Sequence, residues 1–201
     1  MTNKAKNFNF PNSLTLFRII LIPFFIVIYY LPITYHYEIA ALIFTVASLT
    51  DWLDGFMARR LQQETNFGAF LDPIADKLIV VIALMMLLGE YNSYWITVPA
   101  IIIVSREIMM SGLREWMAQN GLSQSVKVSK LAKAKTAMQM IAIIILLSRD
   151  PIYLMDNIVG SIDIVVLGVF LLLISTVLTV TTVISYLIKA YKSLSNIDLK
   201  L

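Results

Sequence analysis

Two neighbouring stretches decide how this chain is read: "SLTDWLDGFMARR", residues 48–60, and "FGAFLDPIADKLIV", residues 67–80. They hold four carboxylates, Asp51, Asp54, Asp72 and Asp76, beside two of the most apolar runs in the sequence. A carboxylate in or near hydrocarbon costs several kcal/mol unless something compensates it. The first question is therefore what compensates four.

The surroundings are apolar along the whole chain. Its 201 residues are 59% hydrophobic, with mean hydropathy +0.79. A soluble domain is usually about 45–50% apolar. The surplus predicts an all-α, polytopic integral membrane protein, and the length suits one domain over 1–201. The sequence has no cysteine, which excludes disulfides, thiolate metal sites and a cysteine nucleophile. A single histidine, His36, argues against a histidine zinc site or a Ser-His-Asp triad. The net charge of +3 is modest, and no basic low-complexity tract points to nucleic acid. Lys4 and Lys6 before an apolar run suggest a signal peptide. No A-x-A-like cleavage site follows, and more apolar runs do, so the run reads as a retained helix.

A membrane-spanning helix needs about 20 apolar residues. Six runs qualify, approximately 14–31, 38–60, 71–89, 93–117, 133–149 and 161–189, with 1–13 as an interfacial segment. The joints are short, as in "GEYNS" (89–93) and "RDP" (149–151). Only "AQNGLSQSVKVSK" (118–130) is longer, and it is polar enough for a cytosolic loop. Six spans put both termini on one side. Of the 16 Lys plus Arg residues, all but Arg149 fall on that side, so both termini are expected in the cytoplasm.

On helices, Asp51 and Asp54 are i,i+3 neighbours, and Asp72 and Asp76 are i,i+4 neighbours, so each pair projects from one face. At about 1.5 Å per residue, Asp51 lies roughly 18 Å into its span, in the cytosolic third of the membrane. Asp72 and Asp76 begin the next span at the same depth. All four are expected to converge on a cytosol-facing cavity. Clustered carboxylates repel, and hard divalent cations, Mg²⁺, Mn²⁺ or Ca²⁺, are the natural compensation. Four of them suit two ions and the clamping of phosphates during in-line displacement. Gly55 and Ala58 are small enough to admit a ligand to the backbone, Gly68 is a further close-approach position, and Arg59 offers a fork for phosphate. The competing reading pairs each aspartate with a Lys or Arg at a helix end, which explains one such residue more easily than four at this spacing.

Asp51-x-x-Asp54-Gly55-x-x-Ala58-Arg59, eight residues, then Gly68-x-x-x-Asp72-x-x-x-Asp76 resembles the signature of the CDP-alcohol phosphotransferase family at every fixed position. The resemblance implies six transmembrane helices and a homodimer. It implies displacement of CMP from a CDP-linked lipid or alcohol. It implies that Asp51, Asp54, Asp72 and Asp76 hold two divalent cations, Mg²⁺ or Mn²⁺, that Asp76 also serves as the base, and that Gly55, Ala58 and Arg59 line the CDP site. Outside the signature, "PNSLTLFRI" (11–19), "REIMMSGLR" (106–114) and "KLAKAKT" (130–136) look like the bacterial branch whose substrates are CDP-diacylglycerol and glycerol 3-phosphate. That branch works at the inner membrane with a cytoplasmic site. Ala132 departs from the glycine expected there, and the likeness weakens beyond about residue 150.

A basic cluster fits a dianionic acceptor. Arg106 and Arg114 are two turns apart on the fourth span, and Lys133 and Lys135 open the fifth; together they suit one phosphate. Positive-inside anchoring is the rival reading, preferred for Lys127 and Lys130 but not for Arg106, which lies farther into its span. Glu107 and Glu115 read as partners of these cations. Asn12, Thr15 and Arg18 share one face of an amphipathic interfacial helix, with Phe8, Phe10, Leu14 and Phe17 turned inward. By resemblance, that segment closes over the nucleotide; helix capping and membrane anchoring is the rival reading, with equal weight. Tyr29, Tyr30, Tyr94, Trp95 and Tyr191 read as an aromatic belt. His36 falls on an outer loop without a chemical role. Pro73 leaves two readings open: Asp72-Pro73 starts the third helix, or the helix starts near Gly68 and contains the proline. Rival functions are a different acceptor (serine, inositol phosphate or phosphatidylglycerol) and a divalent-cation transporter, whose sites usually lie nearer the midplane.

Overall fold

A computed structural model describes the backbone of residues 10–61, 66–119, 130–149 and 159–198, and side chains within 15–50, 71–117 except Asp72, 119, 134–149 and 164–188. The described residues form six α-helices: α1 (Phe10–Tyr30), α2 (His36–Leu61), α3 (Asn66–Tyr91), α4 (Tyr94–Gln119), α5 (Lys130–Leu147) and α6 (Val159–Asp198). Two stretches, Tyr94–Met117 and Ile164–Ile188, are long and apolar enough to cross a membrane by length and composition. Large apolar side chains stay exposed on other helices too, among them Phe24, Leu42 and Met85. A helix apolar on its outer as well as its inner face suits lipid better than water.

Helix boundaries differ from hydropathy boundaries where polar residues continue a helix. α1 starts at Phe10 and runs without a break into the first apolar run, so from there on the interfacial segment is not a separate element. Pro11 is tolerated because the first helical turn needs no backbone donor. α6 extends to Asp198 through "YKSLSNID", which supports a helix but carries no hydrophobic signal. α3 starts at Asn66 and holds Pro73 inside it, which selects the second reading of that proline. Proline has no N–H, so the carbonyl of Ala69 receives no donor from position 73.

The joint between α3 and α4 is tight. Asn92 has φ of 40°, the left-handed conformation that asparagine tolerates after a helix. The Ser93 carbonyl accepts the first bonds of α4, from the N–H groups of Ile96 at 3.0 Å and Thr97 at 2.9 Å. At the joint between α1 and α2, His36 is the first residue of α2, and its Nδ1 lies 2.6 Å from the Tyr29 carbonyl. This contact satisfies an end carbonyl of α1. His36 thus has a structural task at the start of a helix rather than a place on a loop.

The chain divides into two compact units. One holds α1, α2, α3 as far as Leu87 and the end of α5; the other holds α4, α6, the last residues of α3 and α5 as far as Ile143. In the first, α1 packs on α2. Phe25 and Phe44 meet with ring centroids 6.1 Å apart, and Ala40 and Ala47 are fully buried, small enough for close helix approach. Tyr29, expected in the aromatic belt, is only 1% exposed; its ring meets those of Tyr30 and Tyr37 edge-on. Tyr30, Tyr94 and Trp95 are exposed, and the Tyr191 side chain lies outside the described residues. In the second unit α4 packs on α6, burying Ile96, Ala100, Ile103 and Leu172. Ser175, Thr176 and Thr179 are buried there as well. Their hydroxyls donate to the carbonyls of Leu172, Leu172 and Ser175 at 2.8, 2.8 and 2.6 Å. Bonding back to its own helix lets a hydroxyl sit in an apolar interior without an unmet donor.

Candidate active site

The first candidate site belongs to the first unit. Asp51, Asp54, Gly55, Ala58 and Arg59 lie in the last three turns of α2, and Gly68, Asp72 and Asp76 in the first three of α3. The side chains of Asp51, Asp54, Asp72 and Arg59 lie outside the described residues, so the expected convergence of the four carboxylates falls there too. Among the described side chains no three acidic or histidine groups gather.

Asp76 is described, and its surroundings are specific. Its neighbour Ala75 is fully buried, while the Asp76 side chain is 36% exposed. Arg18 on α1 donates from Nη1 to Oδ1 of Asp76. That guanidinium is 0% exposed. Thr15, one turn before Arg18 on α1, is also buried; the side chain of Asn12, a turn earlier still, is outside the described residues. Thr15 and Arg18 therefore form an inward polar face of α1. Phe17 is 44% exposed, opposite to the inward placement expected for it. Burying a charge is tolerated when it is paired, as Arg18 is with Asp76.

A divalent metal fits the chemistry of this donor set. The four signature residues offer carboxylate oxygen only, two per helix on consecutive helices, which suits hard cations. Asp76 also has a buried cationic partner, Arg18.

A second cluster lies in the other unit. Arg106 on α4 donates to Glu107 Oε1 at 2.5 Å, and Lys135 Nζ on α5 stands 3.5 Å from the same oxygen. Lys135 is 2% exposed, a rare burial for lysine. Arg106 Nε is buried and has no hydrogen-bond partner among the described residues. A buried donor left so is costly, and an anion would satisfy it. Arg114, two turns on, is exposed; Lys133 lies in the first turn of α5 with its side chain outside the described residues. The structure thus joins Arg106 and Lys135 through Glu107.

Sequence reasoning passed over Arg18 as a site residue, counting it with the cytosolic cations. The signal lies in the three-residue spacing of Asn12, Thr15 and Arg18, which reads as an interfacial face and which the structure turns inward at Thr15 and Arg18. Glu107 was read as a partner of the cations, and it is one.

The chain matches the CDP-alcohol phosphatidyltransferase family over residues 8–181. It belongs to that family. The matched range takes in every signature position and both clusters, and ends inside α6. Proteins of Shigella flexneri serotype 5b and Escherichia coli K12 are each 48% identical to it over 180 residues, covering 90% of this chain and 93% of theirs. A protein of Shigella boydii serotype 4 is similar to the same extent. All three are named CDP-diacylglycerol–glycerol-3-phosphate 3-phosphatidyltransferase.

Proposed function

We propose that this chain condenses CDP-diacylglycerol with sn-glycerol 3-phosphate, giving phosphatidylglycerophosphate and CMP. The observation that carries this reading is the 48% identity, over 90% of the chain, to proteins named for that transfer. The Arg106–Glu107–Lys135 cluster, with Lys135 buried and the other two half-buried, supports a phosphorylated acceptor independently, because two cations and an unmet donor suit a dianionic phosphate better than zwitterionic serine.

In this reading Asp76 takes the proton of the primary hydroxyl of glycerol 3-phosphate. The oxygen attacks the β-phosphorus, which carries the diacylglycerol, and the bond to the CMP phosphate breaks. Arg59 holds the departing CMP, Gly55, Ala58 and Gly68 admit the nucleotide to the backbone, and Asn12 and Thr15 close over it. Arg106, Arg114, Lys133 and Lys135 hold the acceptor phosphate. Two divalent cations, Mg²⁺ or Mn²⁺, held by Asp51, Asp54, Asp72 and Asp76, supply charge neutralisation for the pyrophosphate when bound. The residues contribute positioning and electrostatics, the main resources in phosphoryl transfer.

The proposal extends to the setting. The whole chain acts as one domain of six spans in the bacterial inner membrane, working as a homodimer with both termini and the site in the cytoplasm. The distribution of basic residues and the exposed apolar faces support this. The test is transfer of radiolabelled glycerol 3-phosphate into extractable lipid by the purified protein with CDP-diacylglycerol and Mg²⁺. Label appearing in lipid in step with CMP is expected; CMP release without label in lipid overturns the assignment.

A further inference from the structure

Arg18 is the largest fully buried side chain among the described residues, and it is charged. A buried arginine in a helix that otherwise faces hydrocarbon is expensive, so its partner matters. One partner is Oδ1 of Asp76, on another helix and 58 residues away. Asp76 is also, on the reading above, both a metal ligand and the base. One carboxylate cannot give the same oxygen fully to a divalent cation and to a guanidinium. A guanidinium fixes the plane of the carboxylate it holds, and its charge opposes a second cation at that oxygen.

We propose that Arg18 is a positioning residue for Asp76: buried on α1, it engages Oδ1 against metal ligation and so keeps the last signature carboxylate oriented for the acceptor's proton. This rests on the assignment of Asp76 as the base. Because α1 carries Thr15 on the same buried face, the device ties the segment expected to cover the nucleotide to the carboxylate that starts the reaction. No bond to Arg18 forms or breaks. Its charge stays while the proton moves to Asp76.

The test compares Arg18→Gln, Arg18→Lys, Asp76→Asn and the Arg18→Gln/Asp76→Asn double variant, each as the full-length protein in detergent. Mn²⁺ binding without substrates is read by electron paramagnetic resonance. The kcat and both KM values are measured separately. In Arg18→Gln, kcat should fall about tenfold to a hundredfold while both KM values stay within about twofold, since the base is misoriented for proton transfer while the substrate-binding contacts remain. Mn²⁺ should bind at least as tightly as in the wild type, because a competing cation has gone. Arg18→Lys keeps the charge without the fork, so it should keep wild-type Mn²⁺ affinity and recover part of kcat. In the Asp76→Asn background, Arg18→Gln should no longer change Mn²⁺ affinity. A buried arginine that served structure alone, or helped build the metal site, would behave differently: Mn²⁺ affinity and kcat would fall together in Arg18→Gln. That result, or unchanged kcat, overturns the proposal. If Arg18→Gln does not fold, Arg18→Lys decides: loss of Mn²⁺ affinity there overturns it, and retained affinity with reduced kcat supports it. A wild-type protein that fails to transfer glycerol 3-phosphate refutes the proposed function instead, and leaves the Mn²⁺ comparison standing.

Discussion

Lys135 and Glu107 pair across α5 and α4, with 3.5 Å between Nζ and Oε1 and the lysine 2% exposed. Burying a lysine is costly unless a partner compensates its charge, and Glu107 is such a partner. Glu107 balances part of the charge of Lys135 and Arg106. The cluster stays net positive, which a phosphate would complete.

The first prediction follows from that surplus. Arg106→Gln removes a charge-assisted hydrogen bond worth roughly 1.5–3 kcal/mol. The KM for glycerol 3-phosphate should rise about tenfold or more, since about 1.4 kcal/mol is one decade. The KM for CDP-diacylglycerol should barely move. Steady-state kinetics with each substrate varied in turn checks this, and an equal rise in both KM values would show that Arg106 does not hold the acceptor.

The second prediction concerns the signature. Asp76→Asn should lower kcat by about 10²–10⁴-fold, the usual contribution of a general base. If Asp76 also holds metal, the loss will be larger and excess Mn²⁺ will recover part of it. Near wild-type kcat would remove Asp76 from the reaction.

The third is metal dependence. EDTA should abolish CMP release, and Mg²⁺ or Mn²⁺ should restore it, because the donor set offers only oxygen. Full activity after thorough chelation would contradict the two-metal reading.

How much of this was legible in the sequence depended on the kind of signal. Hydropathy found all six helices, because each carries an apolar run. It misplaced the ends of α3 and α6, where "NFGAF" and "YKSLSNID" continue a helix through less apolar residues. Spacing puts each aspartate pair on one helix face by i,i+3 and i,i+4 geometry, while the side chains of Asp51, Asp54 and Asp72 lie outside the described residues. Arg18 was not legible, because its partner Asp76 lies on α3, 58 residues away, and no local pattern records that pairing. Tyr29 was misread for the same reason: a tyrosine near a helix end suits a membrane interface, but the packing of α1 on α2 turns this one inward.

The fourth prediction tests the membrane orientation. The chain has no native cysteine, so single cysteines report cleanly. Tyr94 and Gln119, both exposed, bound α4. At 1.5 Å per residue they lie about 37 Å apart, enough to reach both faces of a bilayer. An impermeant maleimide should label Tyr94→Cys from outside spheroplasts and Gln119→Cys only after permeabilisation. The reverse pattern would invert the proposed topology.

The fifth concerns packing. Phe44 is fully buried against Phe25, so Phe44→Ala should cost about 3–5 kcal/mol and lower Tm in detergent. Leu42→Ala, on an exposed face, should leave Tm nearly unchanged. Equal effects would mean that the α1–α2 contact does not stabilise the fold.

The most direct measurement for the whole account is an acceptor panel. The purified protein is given CDP-diacylglycerol and Mg²⁺, and CMP is followed with glycerol 3-phosphate, glycerol, serine, inositol phosphate or phosphatidylglycerol. The account predicts CMP release with glycerol 3-phosphate and little with the others, glycerol included, because the phosphate is what the Arg106–Lys135 cluster binds. Release with glycerol equal to that with glycerol 3-phosphate, or faster release with any other acceptor, would contradict it.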